Sequence, residues 1–475
     1  MLVWTFLVVF GCLLICNSSV ILPQSSLSYA RQVRCLQGHD AAAPLYQSQL
    51  EHNPYDGTTA TRLAASPWAV QRLQQIGHFP DTEMIRTLLQ EANYTSAAVN
   101  AVLGTHRACP CPVYIKPAMA GQTNWTITHE KLTTPVSVLV ALLLLGLAVP
   151  RASLPDEQQW LKTGIVVPCD FDPSLVIAYA SLYPFDLPTG ETLYFVTDWH
   201  PHVLSTTRFV ENEEPVMYLG PDSLALAQHF ILTLEDKVEQ WLDLCTGSGI
   251  QAILTVKRQL CQHVICVDVN PRALRLAAFN ARLNQIEDAQ ITFLQKDLLQ
   301  DDRLEGNYQV ITANPPFLPV PPDIPVHRHG WFSSGGPSGD AVVQAILHQA
   351  PHLLEQGGKL AMVSEFFATN GVYTPTTSFG RALLFTNAVP LSVTEYARRR
   401  ADSAQEYRIW CDHLADYDRM SPGLLFLHHI PRKLWKHVLV PASSQGSLWT
   451  PGNTNAIQFT RECSQQYLGW FRSYR

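Results

Sequence analysis

The stretch from Trp241 to Pro322 constrains this chain more than any other. It opens with Trp-Leu-Asp-Leu-Cys-Thr-Gly-Ser-Gly (Trp241 to Gly249) and approaches its end with Ala-Asn-Pro-Pro-Phe (Ala313 to Phe317). The opening predicts a short apolar strand ending in Asp243, a tight turn at Gly247 and Gly249, and a helix from Ile250 toward Lys257. Glycine belongs there because the backbone must turn sharply and approach a ligand with no side chain in the way. A second strand, Val264 to Val267, ends in Asp268, about twenty residues past the loop, where a carboxylate can accept both hydroxyls of a ribose. Strands alternating with helices in this way predict an open, mainly parallel α/β sheet. Taken alone, this half leaves a dinucleotide open as the ligand.

The second half narrows the choice. A third strand, Ile291 to Leu294, is followed by Asp297, and a fourth, Tyr308 to Thr312, carries Asn-Pro-Pro-Phe at its carboxyl end. Open α/β sheets bind ligands at that edge, so the tetrapeptide faces whatever the Gly-rich loop holds. The prolines fix φ and push Asn314 toward an extended backbone. Asn314 offers a side-chain carbonyl, and Pro315 a backbone carbonyl with no N–H of its own. Two fixed acceptors beside the ring of Phe317 suit a planar NH2 group, held by its two hydrogens while the ring packs on its flat neighbour.

In their order, Asp-Leu-Cys-Thr-Gly-Ser-Gly, Val-Asp-Val-Asn-Pro, Lys-Asp-Leu and Asn-Pro-Pro-Phe resemble the class I S-adenosylmethionine-dependent N-methyltransferases with the Asn-Pro-Pro-aromatic signature. The segment Gly335-Gly336-Pro337-Ser338-Gly339-Asp340 is similar to one in the glutamine methyltransferases of peptide-chain release factors. Similar signatures occur in ribosomal-RNA guanine and DNA adenine methyltransferases. The resemblance covers about residues 215 to 430 and implies a Rossmann-like, seven-stranded methyltransferase sheet. It implies S-adenosyl-L-methionine as cofactor, with Asp243, Cys245, Thr246, Gly247, Ser248 and Gly249 around its methionine part. Asp268 and Val269 would serve the ribose, Asp297 and Leu298 the adenine, and Asn314, Pro315, Pro316 and Phe317 the target nitrogen. Cys245 occupies a place usually held by glycine, and Leu298 one where the release-factor enzymes often carry an aromatic ring.

With 475 residues the chain is long enough for two or three domains. The sequence predicts an apolar run and loosely ordered lead-in over 1–75, a mainly helical, winged-helix-like domain over 76–175, and connecting strands over 176–220. The methyltransferase domain follows over 221–433, and the tail 434–475 is left unassigned. In the helical domain, Thr82 to Glu91 and Thr95 to Leu103 have helical spacing, and Asp156 to Leu161 and Ile165 to Val167 read as a helix and a strand. The apolar run Val136 to Val149 is only about fourteen residues, short of a membrane span, and reads as a buried helix stopped by Pro150. Thr192 to Val196 and Pro215 to Leu219 read as strands, and Leu224 to Leu232 as a helix opened by Gly220 to Ser223. Downstream, Asp340 to Leu354 and Ala404 to Ala415 read as helices, with strands at Lys359 to Ser364, Leu391 to Ala397 and Gly423 to His428.

Several other features carry less. Leu2 to Cys16 has roughly the length of a signal peptide but lacks a positive start and a small-residue cleavage site; a signal or an anchor is the minority reading beside a poorly defined start, and because the implied cofactor is made in the cytosol, a cytoplasmic protein without stable membrane association is expected. The eleven cysteines are scattered, and Cys109-Pro-Cys111 has no second pair at zinc spacing. Asp198, His200 and His202 lack further ligands and read as surface or hairpin residues, so no metal is expected. The loop Leu318 to Pro337, with His327, His329 and Trp331, reads equally as a substrate lid or a structural crossing.

The reaction this predicts is methyl transfer from S-adenosylmethionine to a planar NH2 nitrogen. A protein glutamine, in a release factor or a ribosomal protein, comes first, supported by the net charge of −7, which disfavours long phosphate contacts. Arg398-Arg399-Arg400 is the one tight basic run. A nucleobase amine in rRNA, tRNA or DNA is the alternative, since Phe317 stacks on a base as readily as on an amide. A non-catalytic binding protein on the same scaffold is the third reading, disfavoured by the intact Asn314 and glycines.

Overall fold

The computed structural model describes residues 81–104, 132–146, 149–168, 173–178, 180–198, 215–300, 304–324, 332–373, 380–401, 403–441, 446–450 and 452–471. The run Leu2 to Cys16, Cys109, Cys111, His200, His202, His327, His329 and Trp331 lie outside them.

Helix α1 (Thr82–Glu91) starts where Asp81 accepts the Met84 N–H at 2.8 Å, and it buries Ile85, Leu88 and Leu89. Helix α2 (Ser96–Leu103) is capped by Thr95 and stopped by Gly104 at φ 62°. The apolar run is a buried helix, as its length predicts. It begins as α3 (Pro135–Leu139), with Thr134 and Ser137 forming a capping box, and continues as a π-helical turn, Val140–Leu144. It ends near Gly146 rather than at Pro150, which lies instead in strand β1 (Val149–Pro150). Helix α4 (Glu157–Thr163), β2 (Val166–Pro168) and β3 (Leu175–Ala178) complete this unit, whose antiparallel sheet has the order β1-β3-β2.

A hairpin follows, β4 (Ser181–Asp186) and β5 (Thr192–Thr197). The segment 215–220, expected as a strand, has no regular structure, because its Val216 N–H donates to a side chain, Asp198 Oδ2, at 2.7 Å. Helix α5 (Pro221–His229) leads into the alternation β6 (Val238–Leu244), α6 (Ile250–Lys257), β7 (Cys261–Asp268), α7 (Pro271–Leu283), β8 (Ile291–Gln295) and β9 (Tyr308–Ala313). Helix α8 (Ala341–Leu353), β10 (Leu354–Thr369), β11 (Val372–Tyr373) and β12 (Arg381–Asn387) come next. The expected strand Leu391 to Ala397 is mostly helix: after the two-residue β13 (Leu391–Ser392), the Ser392 hydroxyl accepts from Glu395 N–H and starts α9 (Val393–Arg400). Helix α10 (Ala404–His413) and β14 (Arg419–His428) follow.

The described part of the tail has regular structure. It contributes β15 (Leu434–Val440) and α11 (Thr454–Leu468). The main sheet runs β15-β12-β14-β10-β9-β6-β7-β8. Of these eight strands, β14 alone runs against the rest. The sheet has one strand more than the seven that the resemblance implies: β12 stands in it where Leu391 to Ala397 was expected, and β15 extends it past the expected boundary at residue 433. Apolar side chains fill both faces, Trp241, Ile253 and Phe426 on one and Leu242, Ile311 and Leu425 on the other.

Two asparagines of α7 dock the hairpin. Asn284 accepts from Tyr194 N–H at 2.8 Å and donates to its carbonyl at 2.7 Å. Asn280 does the same for Val196, at 2.8 and 2.9 Å, and donates also to the Ser248 carbonyl at 2.9 Å. The side-chain amides thus act as a neighbouring strand would, and one of them reaches the Gly-rich loop.

Candidate active site

At the carboxyl edge of the sheet lies a cavity of about 260 Å³. Its wall includes Cys245, Thr246, Gly247 and Ser248 from the loop after β6, and Asp268 and Val269 from the end of β7. Asp297, Leu298, Asn314 and Pro316 complete the expected residues that reach it. Asp243, Gly249, Pro315 and Phe317 were expected at the site and do not line the cavity.

Asp243 explains its own absence. It is 1% exposed and sits behind the loop, accepting from Thr246 Oγ1 at 2.5 Å and from Thr312 Oγ1 at 2.7 Å. Thr312 in turn accepts from Trp241 Nε1 at 3.0 Å. The carboxylate therefore ties the loop to β9, and burial pushes its pKa up to about 7. Gly249 caps α6 at φ 81°, and a Cβ there would come to 3.0 Å from that of Ala277, so it serves helix packing.

Asp268 receives the N–H groups of Gly247 and Asn270, each at 2.9 Å, one on each oxygen. A carboxylate has about four acceptor sites, so two remain for a diol. Burial raises its pKa. Cys245 has a left-handed backbone, φ 56°, which accounts for glycine being usual there. Burial and the nearby Asp268 and Asp243 raise its thiol well above the ordinary range, so it stays neutral. Asp297 Oδ1 accepts from Leu299 N–H at 3.0 Å, closing a turn. No aromatic ring stands at Leu298, but the exposed apolar Val269 and Leu299, 41% and 58% accessible, flank the cavity. Exposed apolar groups on either side of a slot suit a flat heterocycle.

Asn314, just past the end of β9, lines the cavity. Its Nδ2 donates to Asp222 Oδ2 at 2.8 Å and to Ser223 Oγ at 2.9 Å, both from the first turn of α5. A carboxylate can only accept, so these bonds fix which way the amide faces. Among the described residues nothing donates to its Oδ1. Asp222, 2% exposed, is raised in pKa by burial, with the Asn314 bond opposing. Gly220 makes this possible, since a Cβ there would run into Asp222 Oδ1. Reasoning from sequence placed Asp222 and Ser223 only as helix-start residues; an acid at that position followed by a polar residue is also what an amide partner needs. Glu365, on β10, accepts from Tyr396 at 2.8 Å and Arg400 at 3.2 Å. Burial raises its pKa, Arg400 lowers it, and the charge of Asp222 raises it further.

The segment Gly335 to Gly339 braces the platform. Leu318 N–H donates to the Ser333 carbonyl at 2.7 Å and Gly335 N–H to the Leu318 carbonyl at 2.9 Å. A Cβ on Gly339 would lie 2.7 Å from Pro319 N and 2.8 Å from the Phe317 carbonyl. The described ends of the loop Leu318 to Pro337 make structural contacts through these bonds, and its Phe332 and Ser334 also line the cavity. Asp198, expected as a surface or hairpin residue, is instead buried and ion-paired with Arg272; His200 and His202 lie outside the described residues, among which no group of side chains suited to a metal ion occurs.

Residues 222–324 match the family model of the methyltransferase small domain. The chain is 30% identical over 154 residues to a Methanocaldococcus jannaschii protein assigned as a protein N5-glutamine methyltransferase, covering 31% of this chain and 75% of that one. It is 28% identical over 207 residues to the release factor glutamine methyltransferase of Synechocystis, covering 40% and 67%. It is 36% identical over 136 residues to the ribosomal protein uL3 glutamine methyltransferase of Bradyrhizobium diazoefficiens, covering 26% and 41%. Together with the sheet order, the Gly-rich loop and Asn314, these relations show that the chain belongs to the class I S-adenosylmethionine-dependent N-methyltransferases.

Proposed function

We propose that this enzyme methylates the side-chain amide nitrogen of a glutamine in a protein, the acceptor being a release factor or a ribosomal protein met in the cytoplasm. The observation that carries this reading is the pinned amide of Asn314. With Nδ2 held by Asp222 and Ser223, its Oδ1 serves as a fixed acceptor for an incoming NH2, beside the cofactor cavity.

The residues present fit the cofactor: a side-chain-free approach at Gly247, acceptor sites left on Asp268, and apolar Val269, Leu298 and Leu299 for the adenine. When bound, S-adenosylmethionine supplies an activated methyl group. The protein's part is alignment. An amide nitrogen is a weak nucleophile because its lone pair is delocalised. Acceptors at Asn314 Oδ1 and the Pro315 carbonyl, set off the amide plane, favour a more pyramidal nitrogen in the transition state, and that difference lowers the barrier. The nitrogen becomes strongly acidic as it takes the methyl group and releases its proton to water, so no titrating base is needed.

Charge supports a protein acceptor over nucleic acid. The one tight basic run is largely paired: Arg398 and Arg399 share Glu395 at 2.5 and 3.0 Å, and Arg400 pairs with Glu365 at 3.2 Å, which leaves a single positive charge in excess. The test is transfer of label from radioactive S-adenosylmethionine into an extract of cells lacking the enzyme, followed by protease or nuclease, with Asn314→Ala as control. Protease-sensitive label on glutamine, absent with the variant, is expected. Nuclease-sensitive label would transfer the reading to a nucleobase amine.

A further inference from the structure

The extension beyond β14 reaches the acceptor side of the site. Strand β15 lies parallel to β12, with Thr386 opposite Leu439 and Asn387 opposite Val440, so both end at the carboxyl edge of the sheet. The chain then crosses that edge. Leu448 N–H donates to Asn387 Oδ1 at 2.8 Å, and Trp449 Nε1 donates to the Gly423 carbonyl at 3.2 Å. The Trp449 ring comes to rest on Phe317, with centroids 5.5 Å apart and planes at 58°. Behind it, the Leu448 carbonyl faces His229 Nε2 at 2.9 Å and Gly452 N–H donates to Gln228 Oε1 at 2.9 Å, both on α5, the helix that carries Asp222. Phe317 does not line the cofactor cavity, whereas its neighbours Asn314 and Pro316 do, so its ring belongs to the acceptor side.

We propose that Trp449 is a positioning residue for the methyl acceptor, setting the plane of the Phe317 ring and so the alignment of the flat acceptor group against Asn314. The inference rests on the acceptor site proposed above. Tilted ring pairs are favoured geometries, and the indole N–H bond leaves Trp449 a single orientation in which to hold Phe317. An acceptor that meets a freely turning ring binds more weakly and less well aligned, while the cofactor, on the other side of Asn314, is unaffected.

The test uses the full chain, labelled S-adenosylmethionine and a graded amount of extract protein as acceptor. Trp449→Ala is expected to raise the acceptor KM roughly tenfold with cofactor affinity within about twofold. Trp449→Phe, which keeps a ring but loses the N–H bond to Gly423, should restore only part of the loss, and Trp449→Ala should add nothing in a Phe317→Ala background, as expected if one residue acts through the other. Trp449→Leu replaces the alanine variant if that fails to fold. An unchanged acceptor KM, or an equal loss of cofactor affinity, would overturn the inference. Wild-type label in RNA rather than protein sinks the glutamine reading alone, and the same titration with RNA then decides Trp449. Label in neither sinks both.

Discussion

Two residues of the site are held against their own preferences. Cys245 has φ 56°, a conformation that costs a residue with a Cβ on the order of 1 kcal/mol or more. Cys245→Gly removes that strain but frees the unfolded chain, which offsets part of it. The expected net effect is stabilisation by about 0.5 kcal/mol, measured by urea unfolding, with cofactor affinity equal or higher because a side chain leaves the cavity wall. A destabilised variant would mean that the thiol's packing outweighs its backbone. Asp222 is the other case, a buried carboxylate whose pKa rises on burial, kept for its bond to Asn314. Asp222→Ala should leave cofactor binding intact and lower kcat by about a hundredfold, the scale of loss when an aligned group is set loose. Undiminished kcat would show that Ser223 alone holds the amide.

At the scale of elements, the docking of the hairpin on α7 makes one asparagine serve two ends. Asn280→Ala strands the N–H and carbonyl of Val196 and the carbonyl of Ser248, all buried, and is expected to cost roughly 3 kcal/mol. Cofactor affinity should fall with it, since Ser248 lies in the cavity wall; calorimetric titration against the wild type separates this from unfolding. None of this is visible in the sequence, because Asn280 and Val196 meet only in the fold. What was legible is local. The strands ending at Asp243, Asp268 and Asn314 could be read because apolar runs there stop at residues with one chemical purpose. Arg381–Asn387 was missed because four apolar residues between polar ends do not distinguish a buried strand from a helix segment. The segment Gly335 to Gly339 was read as a mark of substrate class, yet Gly339 is explained by its close approach to Phe317 and Pro319, and Gly335 by its approach to Gly339, which would serve any acceptor.

For the molecule as a whole, two buried groups set opposing responses to pH. His229 is 1% exposed, and burial lowers its pKa from 6.5 to about 4, with the Leu448 carbonyl opposing. Below pH 6.5 the unfolded chain binds a proton that the folded chain refuses, so this group's stability is full above pH 6.5 and is lost as pH falls toward 4. Asp243 acts the other way: its pKa rises from 3.8 to about 7, so the folded state holds a proton the unfolded state releases, and stability is lost as pH rises through that window. Each amounts to about 3 or 4 kcal/mol over its window, and in the wild type they largely cancel. His229→Gln keeps groups able to meet Leu448 and Thr460 while removing the titration. Relative to wild type it should therefore gain about 3 kcal/mol between pH 7 and pH 4, measured by urea unfolding at each pH without cofactor. A constant difference across that range would mean that His229 binds protons alike in the folded and unfolded chain, and that burial under the tail does not hold the ring neutral.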